Sequence, residues 1–111
     1  MVKELFLINS QIQEFRYKVI YGVGKEGRRL CEKLEKEGLD ITYFADSNKQ
    51  LQGQIVMGKK VLSLDELRDM SQKTAVLLSC GYEEEIYGVL KRNGIKHVFL
   101  SHVSNGLILD D

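Results

Sequence analysis

The sequence predicts an α/β domain of three layers, with a parallel sheet of about four to five strands and an extra helix at its N-terminus. Three observations predict it. Strand-like and helix-like runs alternate along the chain, and each return to a parallel strand needs a crossover. Gly22, Gly24 and Gly27 lie between a strand-like run, Lys18 to Tyr21, and a helix-like run, Lys25 to Glu37. A second strand-like run then ends in an acid, Asp46.

The 111 residues are near the common domain size, so one domain is expected over 1–111. Its parts are an N-terminal helix at 1–16, a core at 17–100 and a tail at 101–111. Lys plus Arg and Asp plus Glu each total 16, so no bulk positive field attracts nucleic acid, and no such partner is expected. Two cysteines far apart make neither a disulfide framework nor a metal cluster, and a reducing cytoplasm is the expected compartment. Leu5 to Ile8 is an apolar run of four residues. A signal-peptide core needs ~7–15 and a bilayer span ~20, so no membrane partner is expected.

Met1, Leu5, Ile8, Ile12 and Phe15 form an apolar stripe at helical spacing. It either covers a sheet face of its own domain or forms a seam with a second copy or a neighbouring domain. The first strand, about Tyr17 to Tyr21, lacks clean alternation, as a strand buried on both faces does. The first helix turns Gly27, Leu30, Cys31 and Leu34 inward and stops at Gly38. The second strand is about Asp40 to Ala45. Ile55-Val56-Met57 and Lys60-Val61-Leu62 flank Gly58, and either can be a third strand. Ser63-Leu64-Asp65-Glu66 is a capping box that opens a short helix with Leu64, Leu67 and Met70 inward. A strand follows at Thr74 to Ser79. A helix at Tyr82 to Asn93 should bury Ile86, Val89 and Leu90. The last clear strand is His97 to Leu100, and Leu107 to Leu109 either adds an edge strand or packs.

Gly22, Gly24 and Gly27 read G-x-G-x-x-G, and each glycine has its own task in that pattern. Gly22 permits the tight turn, Gly24 lets a phosphate approach the backbone, and Gly27 lets helix and strand pack closely. The free amides at the helix start favour an anion. Asp46, 24 residues after Gly22, is placed to accept from the hydroxyls of a ribose. An acid there disfavours a 2′-phosphate. A Rossmann-like fold with a nucleotide ligand is therefore expected. Gly22, Val23, Gly24, Lys25, Glu26 and Gly27 would line the phosphate turn, with Asp46 and Ser47 beside it. Cys80 follows the fourth strand at the ligand end and is structural or merely ligand-adjacent rather than nucleophilic, because Glu83, Glu84 and Glu85 oppose its ionisation.

Val19 to Gly27 and Tyr43 to Asn48 carry a more particular likeness. With Gly58 to Val61 and Ser63 to Leu67, they resemble the small Rossmann-like domain of bacterial polysaccharide and sugar-modifying proteins. Examples are the N-terminal domain of sugar acyltransferases and domains attached to glycosyltransferases or methyltransferases. Val23 replaces the usual alanine, and Lys60 stands where proline is frequent. The resemblance covers about Lys18 to Leu100. It implies a non-catalytic module that binds a nucleotide-sugar or an NAD-like nucleotide, in a larger transferase or alone. The alternative expectation is an interaction or regulatory domain that has lost its ligand and docks through Met1 to Phe15, as a homodimer or onto a parent protein.

No candidate chemistry stands out beyond this. His97 and His102 lie at opposite ends of the last strand, so neither they nor the acids make a metal site. Cys31 reads as core. Tyr21 and Tyr82 read as buried packing, with stacking on a base as the alternative, and no acid–base pair or nucleophile triad is present in the sequence pattern.

Overall fold

The computed structural model describes the backbone of residues 11–78, 83–102 and 106–109, and the side chains of residues 11–78 and 85–99. The elements, in order, are β1 (Tyr17–Tyr21), α1 (Lys25–Lys36), β2 (Tyr43–Ala45), β3 (Ile55–Val56), β4 (Lys59–Leu62), α2 (Leu64–Asp69), β5 (Thr74–Leu78), α3 (Glu83–Arg92), β6 (Val98–His102) and β7 (Gly106–Leu109). Among the described residues they form one seven-stranded sheet in the order β3-β4-β2-β1-β5-β6-β7. The five strands from β4 to β6 pair in parallel. β3 and β7 are antiparallel additions at the two edges. The chain leaves β1 for β2 on one side and leaves β5 for β6 on the other. The gap between the carboxyl ends of β1 and β5 is therefore the switch point of a Rossmann-like sheet.

Alternation along β1 divides the core. Ile20 joins Cys31, Leu34, Phe44, Val61, Leu77 and Phe99 on the α1 face. Val19 and Tyr21 join Ala45, Leu62, Leu67, Val76, Leu78 and Leu90 on the face covered by α2 and α3. Ile12 is wholly buried in the α1-side cluster, and Phe15 packs against it. The Phe15 ring lies 4.8 Å from His97 and 5.9 Å, edge-on, from Phe99. The C-terminal end of the N-terminal stripe thus covers this domain's own sheet. Met1, Leu5 and Ile8 lie outside the described residues, and only residues 11–13 of that region are described as helical.

Local chemistry explains where elements depart from expectation. β2 is shorter than Asp40 to Ala45 because Thr42 replaces its ladder with a side chain. Its hydroxyl accepts from the Lys18 amide at 3.0 Å, while its own amide donates to the Lys18 carbonyl at 2.7 Å. Both runs beside Gly58 are strands, and β4 is the one that joins the parallel sheet. In α3, Leu90 is buried as expected, but Val89 is 36% exposed. One residue along a helix is a 100° rotation, so Val89 cannot share the face of Leu90. Cys31 is buried, and burial first, then the nearby Glu35 carboxylate, pushes its thiol up to about 11. It is a core residue held protonated.

The β3–β4 turn has positive φ at both central residues, Met57 (52°) and Gly58 (78°), which is the pattern of a type I′ hairpin turn. Methionine is a poor residue there, and 41% of it is exposed. Met57→Asn should raise stability by about 0.5–1 kcal/mol, read as a higher denaturant midpoint at unchanged slope.

α2 opens with the expected capping box. Ser63 Oγ accepts from the Glu66 amide at 3.1 Å, and Glu66 Oε1 accepts from the Ser63 amide at 3.0 Å. That amide first, then Lys60, holds the Glu66 carboxyl below its usual range. A lowered folded-state pKa stabilises the fold above the unfolded-state value, and this is lost as pH falls through the folded-state value. Glu66→Gln should therefore cost stability at neutral pH and flatten the acid limb of a melting-temperature profile.

Candidate functional site

The glycine turn runs from the end of β1 into α1. Gly22 has φ +108°, and its amide donates to the Ala45 carbonyl at 2.7 Å. That bond extends the β1–β2 pairing by one step before the chain turns away. Gly27 lies directly above. A Cβ on Gly27 would stand 2.0 Å from the Gly22 carbonyl oxygen, so only glycine lets α1 sit this close to β1. These two glycines are required by the fold itself.

Gly24 is different. Its φ of −69° and ψ of −173° suit any residue, and a Cβ there would meet no atom within 4 Å. It is exposed, and it is the N-cap of α1, with no side-chain cap on the helix. Serine, threonine, aspartate or asparagine is the usual choice at such a position. α2 of the same chain has that choice in Ser63. The glycine at 24 leaves the first-turn amides of α1 uncovered by any cap and leaves open space in front of them.

Asp46 faces this turn. Its Oδ2 accepts from the Val23 amide at 3.0 Å, and its Oδ1 accepts from the Asn48 amide at 2.9 Å. Its backbone is fixed as well. The amide donates to the Leu62 carbonyl at 3.1 Å, and the carbonyl accepts from Gln52 Nε2 at 3.0 Å. Asp46 is thus both a turn residue, through Asn48, and the acid of the glycine turn, through Val23. Each carboxylate oxygen has a second lone pair, so both can still accept from a guest. The turn contact with Asn48 is the one expected of an acid preceding Ser47-Asn48, and the Gln52 contact is additional. The Asn48 contact follows from Asp-Ser-Asn, a sequence in which short polar side chains bond to amides two residues on, whereas the Gln52 side chain reaches the Asp46 carbonyl from six residues on, with no such pattern.

The remaining expected residues are placed as follows. Val23 is buried, with its amide engaged by Asp46. Lys25 and Glu26 are exposed in the first turn of α1, and Glu26 pairs with Arg29 at 3.6 Å. Ser47 is exposed, and Tyr21 is buried. Burial raises the Tyr21 phenol, with the Ser47 hydroxyl opposing and the Asp46 charge adding to the rise. Cys80, with Gly81 and Tyr82, lies outside the described residues. Among the described residues no three His, Cys, Asp or Glu side chains cluster to hold a metal. No described helix is long and apolar enough to cross a membrane. A cleft of about 360 Å³ bordered by Glu14, Phe15, Lys96 and His97 lies where β6 begins, at the end of the sheet opposite the glycine turn.

The family described as C2185-like, N-terminal, matches residues 15–98. The chain belongs to this family. No curated protein matches it. Among solved structures, this C2185-like domain is similar to UDP-D-quinovosamine 4-dehydrogenase from Vibrio fischeri, with 22% identity, a TM-score of 0.62 and 78% of each chain covered. It is also similar to RSP, a Rex-family repressor, with 22% identity and a TM-score of 0.58. That match covers 98% of this chain and 59% of the repressor, so the domain spans under two thirds of RSP. RSP in complex with beta-NADH gives 21% identity and a TM-score of 0.59 over 99% of this chain and 58% of that one. Likeness at this identity establishes the Rossmann-like fold.

The two glycines make opposed predictions. Gly27→Ala should destabilise by several kcal/mol or prevent folding, because its clash is with backbone. Gly24→Asp should raise stability by about 0.5–1 kcal/mol, by capping α1 and complementing its dipole. Thermal unfolding of the two variants beside the wild-type chain checks both.

Proposed function

We propose that this domain binds a nucleotide at the carboxyl ends of β1 and β2, with a phosphate before Gly24 and a ribose on Asp46. The observation that carries the reading is Gly24. The fold has no use for a glycine there, yet a glycine keeps the start of α1 open. The Val23–Asp46 hydrogen bond supports it by setting the acid against the same turn. The ligand class is a nucleotide-sugar or an NAD-like nucleotide without a 2′-phosphate. UDP-D-quinovosamine 4-dehydrogenase and the RSP–NADH complex are consistent with that class at the level of fold. The biological setting proposed is bacterial surface-polysaccharide or sugar metabolism, with this chain as a non-catalytic module alone or within a larger transferase.

Binding by the domain alone should be weak. Micromolar affinity requires about 8 kcal/mol. A helix N-terminus contributes roughly 0.3–1 kcal/mol to an anion, and up to ~2 in partly buried geometry. One glycine turn and one acid cannot supply the remainder. The Val23 amide is also already bonded to Asp46.

Amide chemical shifts measured with UDP-glucose, NAD+ and coenzyme A test the reading. Perturbations should centre on Gly24 and Asp46 and should vanish in Gly24→Val, which the open space allows to fold. No perturbation by any of the three would overturn it.

A further inference from the structure

Resting on that reading, we propose that Asp46 is also the residue that excludes phosphates lacking a ribose, because its carboxylate already occupies an amide of the glycine turn. Its Oδ2 accepts from the Val23 amide at 3.0 Å, a donor that a phosphate oxygen would otherwise be free to use. Residues 22–24 are Gly-Val-Gly, so the turn has no charged side chain of its own. The charge hydrogen-bonded to it is the negative one of Asp46. Lys25 and Arg28, exposed beyond the turn on α1, attract any phosphate alike and so do not discriminate.

The carboxylate is held in place. Its other oxygen accepts from the Asn48 amide at 2.9 Å, so turning the side chain away from Val23 breaks two bonds rather than one. The backbone of Asp46 is pinned by the Leu62 carbonyl at 3.1 Å and by Gln52 Nε2 at 3.0 Å. Gln52 is anchored in turn. Its amide donates to the Asn48 carbonyl at 3.3 Å, and the next amide, that of Gly53, donates to the Val61 carbonyl of β4 at 2.8 Å. The loop from Asp46 to Gly53 thus closes on β4 and keeps the acid against the turn. A bare phosphate arriving before Gly24 meets this fixed like charge and brings no diol to bond it. A ribose diol donates to the free lone pairs of the two carboxylate oxygens, and those charge-assisted bonds offset the repulsion of the phosphate. One carboxylate therefore attracts one part of a nucleotide and repels the other, which makes phosphate binding conditional on the ribose.

Amide-shift titrations of the wild-type chain, Asp46→Asn and Asp46→Ala with pyrophosphate, UDP-glucose and NAD+ test this. Removing the charge should move the two ligand classes in opposite directions. Pyrophosphate should tighten by about three- to tenfold, while UDP-glucose and NAD+ weaken by about the same factor. A merely structural role for Asp46 would weaken every ligand together, and that outcome overturns the inference. So does an unchanged pyrophosphate affinity in a variant that folds. Where neither variant folds, the wild-type chain decides. It should bind pyrophosphate at least about tenfold more weakly than UDP-glucose, and equal affinities overturn the inference. If the wild-type chain binds neither UDP-glucose nor NAD+, the nucleotide reading fails and this inference fails with it.

Discussion

The near-contact of α1 with β1 is the constraint on which the rest depends. The Gly22 carbonyl sits where the Cβ of any other residue at 27 would have to be. That approach brings the start of α1 over the end of β1 and sets the helix flat on the sheet. It also lets Cys31 and Leu34 reach the layer of Ile20 and Phe44. The same geometry leaves the turn between them short. Val23 then has its amide within 3.0 Å of Asp46 Oδ2, and the end of β2 is tied to the end of β1. The candidate site is thus a by-product of a packing requirement plus one glycine that packing does not require.

Two halves of the sheet carry different loads. From β4 to β1, the strands, α1 and the hairpin form a unit fastened by the Lys59–Glu35 ion pair at 2.9 Å. From β5 to β6, α2 and α3 are joined through the Ser71 hydroxyl, which accepts from the Lys96 amide at 2.8 Å and donates to the Gly94 carbonyl at 3.3 Å. Arg68 adds a bond to the Asn93 carbonyl at 2.9 Å. The α1 face over β6 would be bare without an added element, and Ile12 and Phe15 fill it. That use of the stripe argues for in-domain packing at its C-terminal end. It leaves the interaction reading without support from those two residues.

Much of the fold was legible because it follows from local rules. The G-x-G-x-x-G run needs a strand before it and a helix after it, and both were where the pattern put them. The capping box at Ser63 and Glu66 appeared as spelled, since its two bonds are made within four residues. The choice between Ile55–Met57 and Lys60–Leu62 was not legible, because both runs are short and apolar, and pairing with β2 decides between them. Val89 was misassigned because β-branched apolar residues next to Leu90 look alike in a pattern, while burial depends on where the helix rolls against the sheet. Of the candidate site, the places of Asp46 and the three glycines at the strand ends were readable. The bonds that fix Asp46 to Val23 and Gln52 were not, because partners brought together by the tertiary fold carry no periodic signal.

By itself the sequence determined the fold class, the positions of the turn and caps, and the identity of the acid at the end of the second strand. These depend on backbone sterics and on side chains reaching amides a few residues away, which any chain with these residues must obey. Tertiary structure alone decided how closely Gly27 sits on the Gly22 carbonyl and that the space before Gly24 is open. It also decided that Asp46 faces Val23. Each of these is a distance between segments far apart in the chain, and such distances are set only when the sheet closes and its two faces are packed.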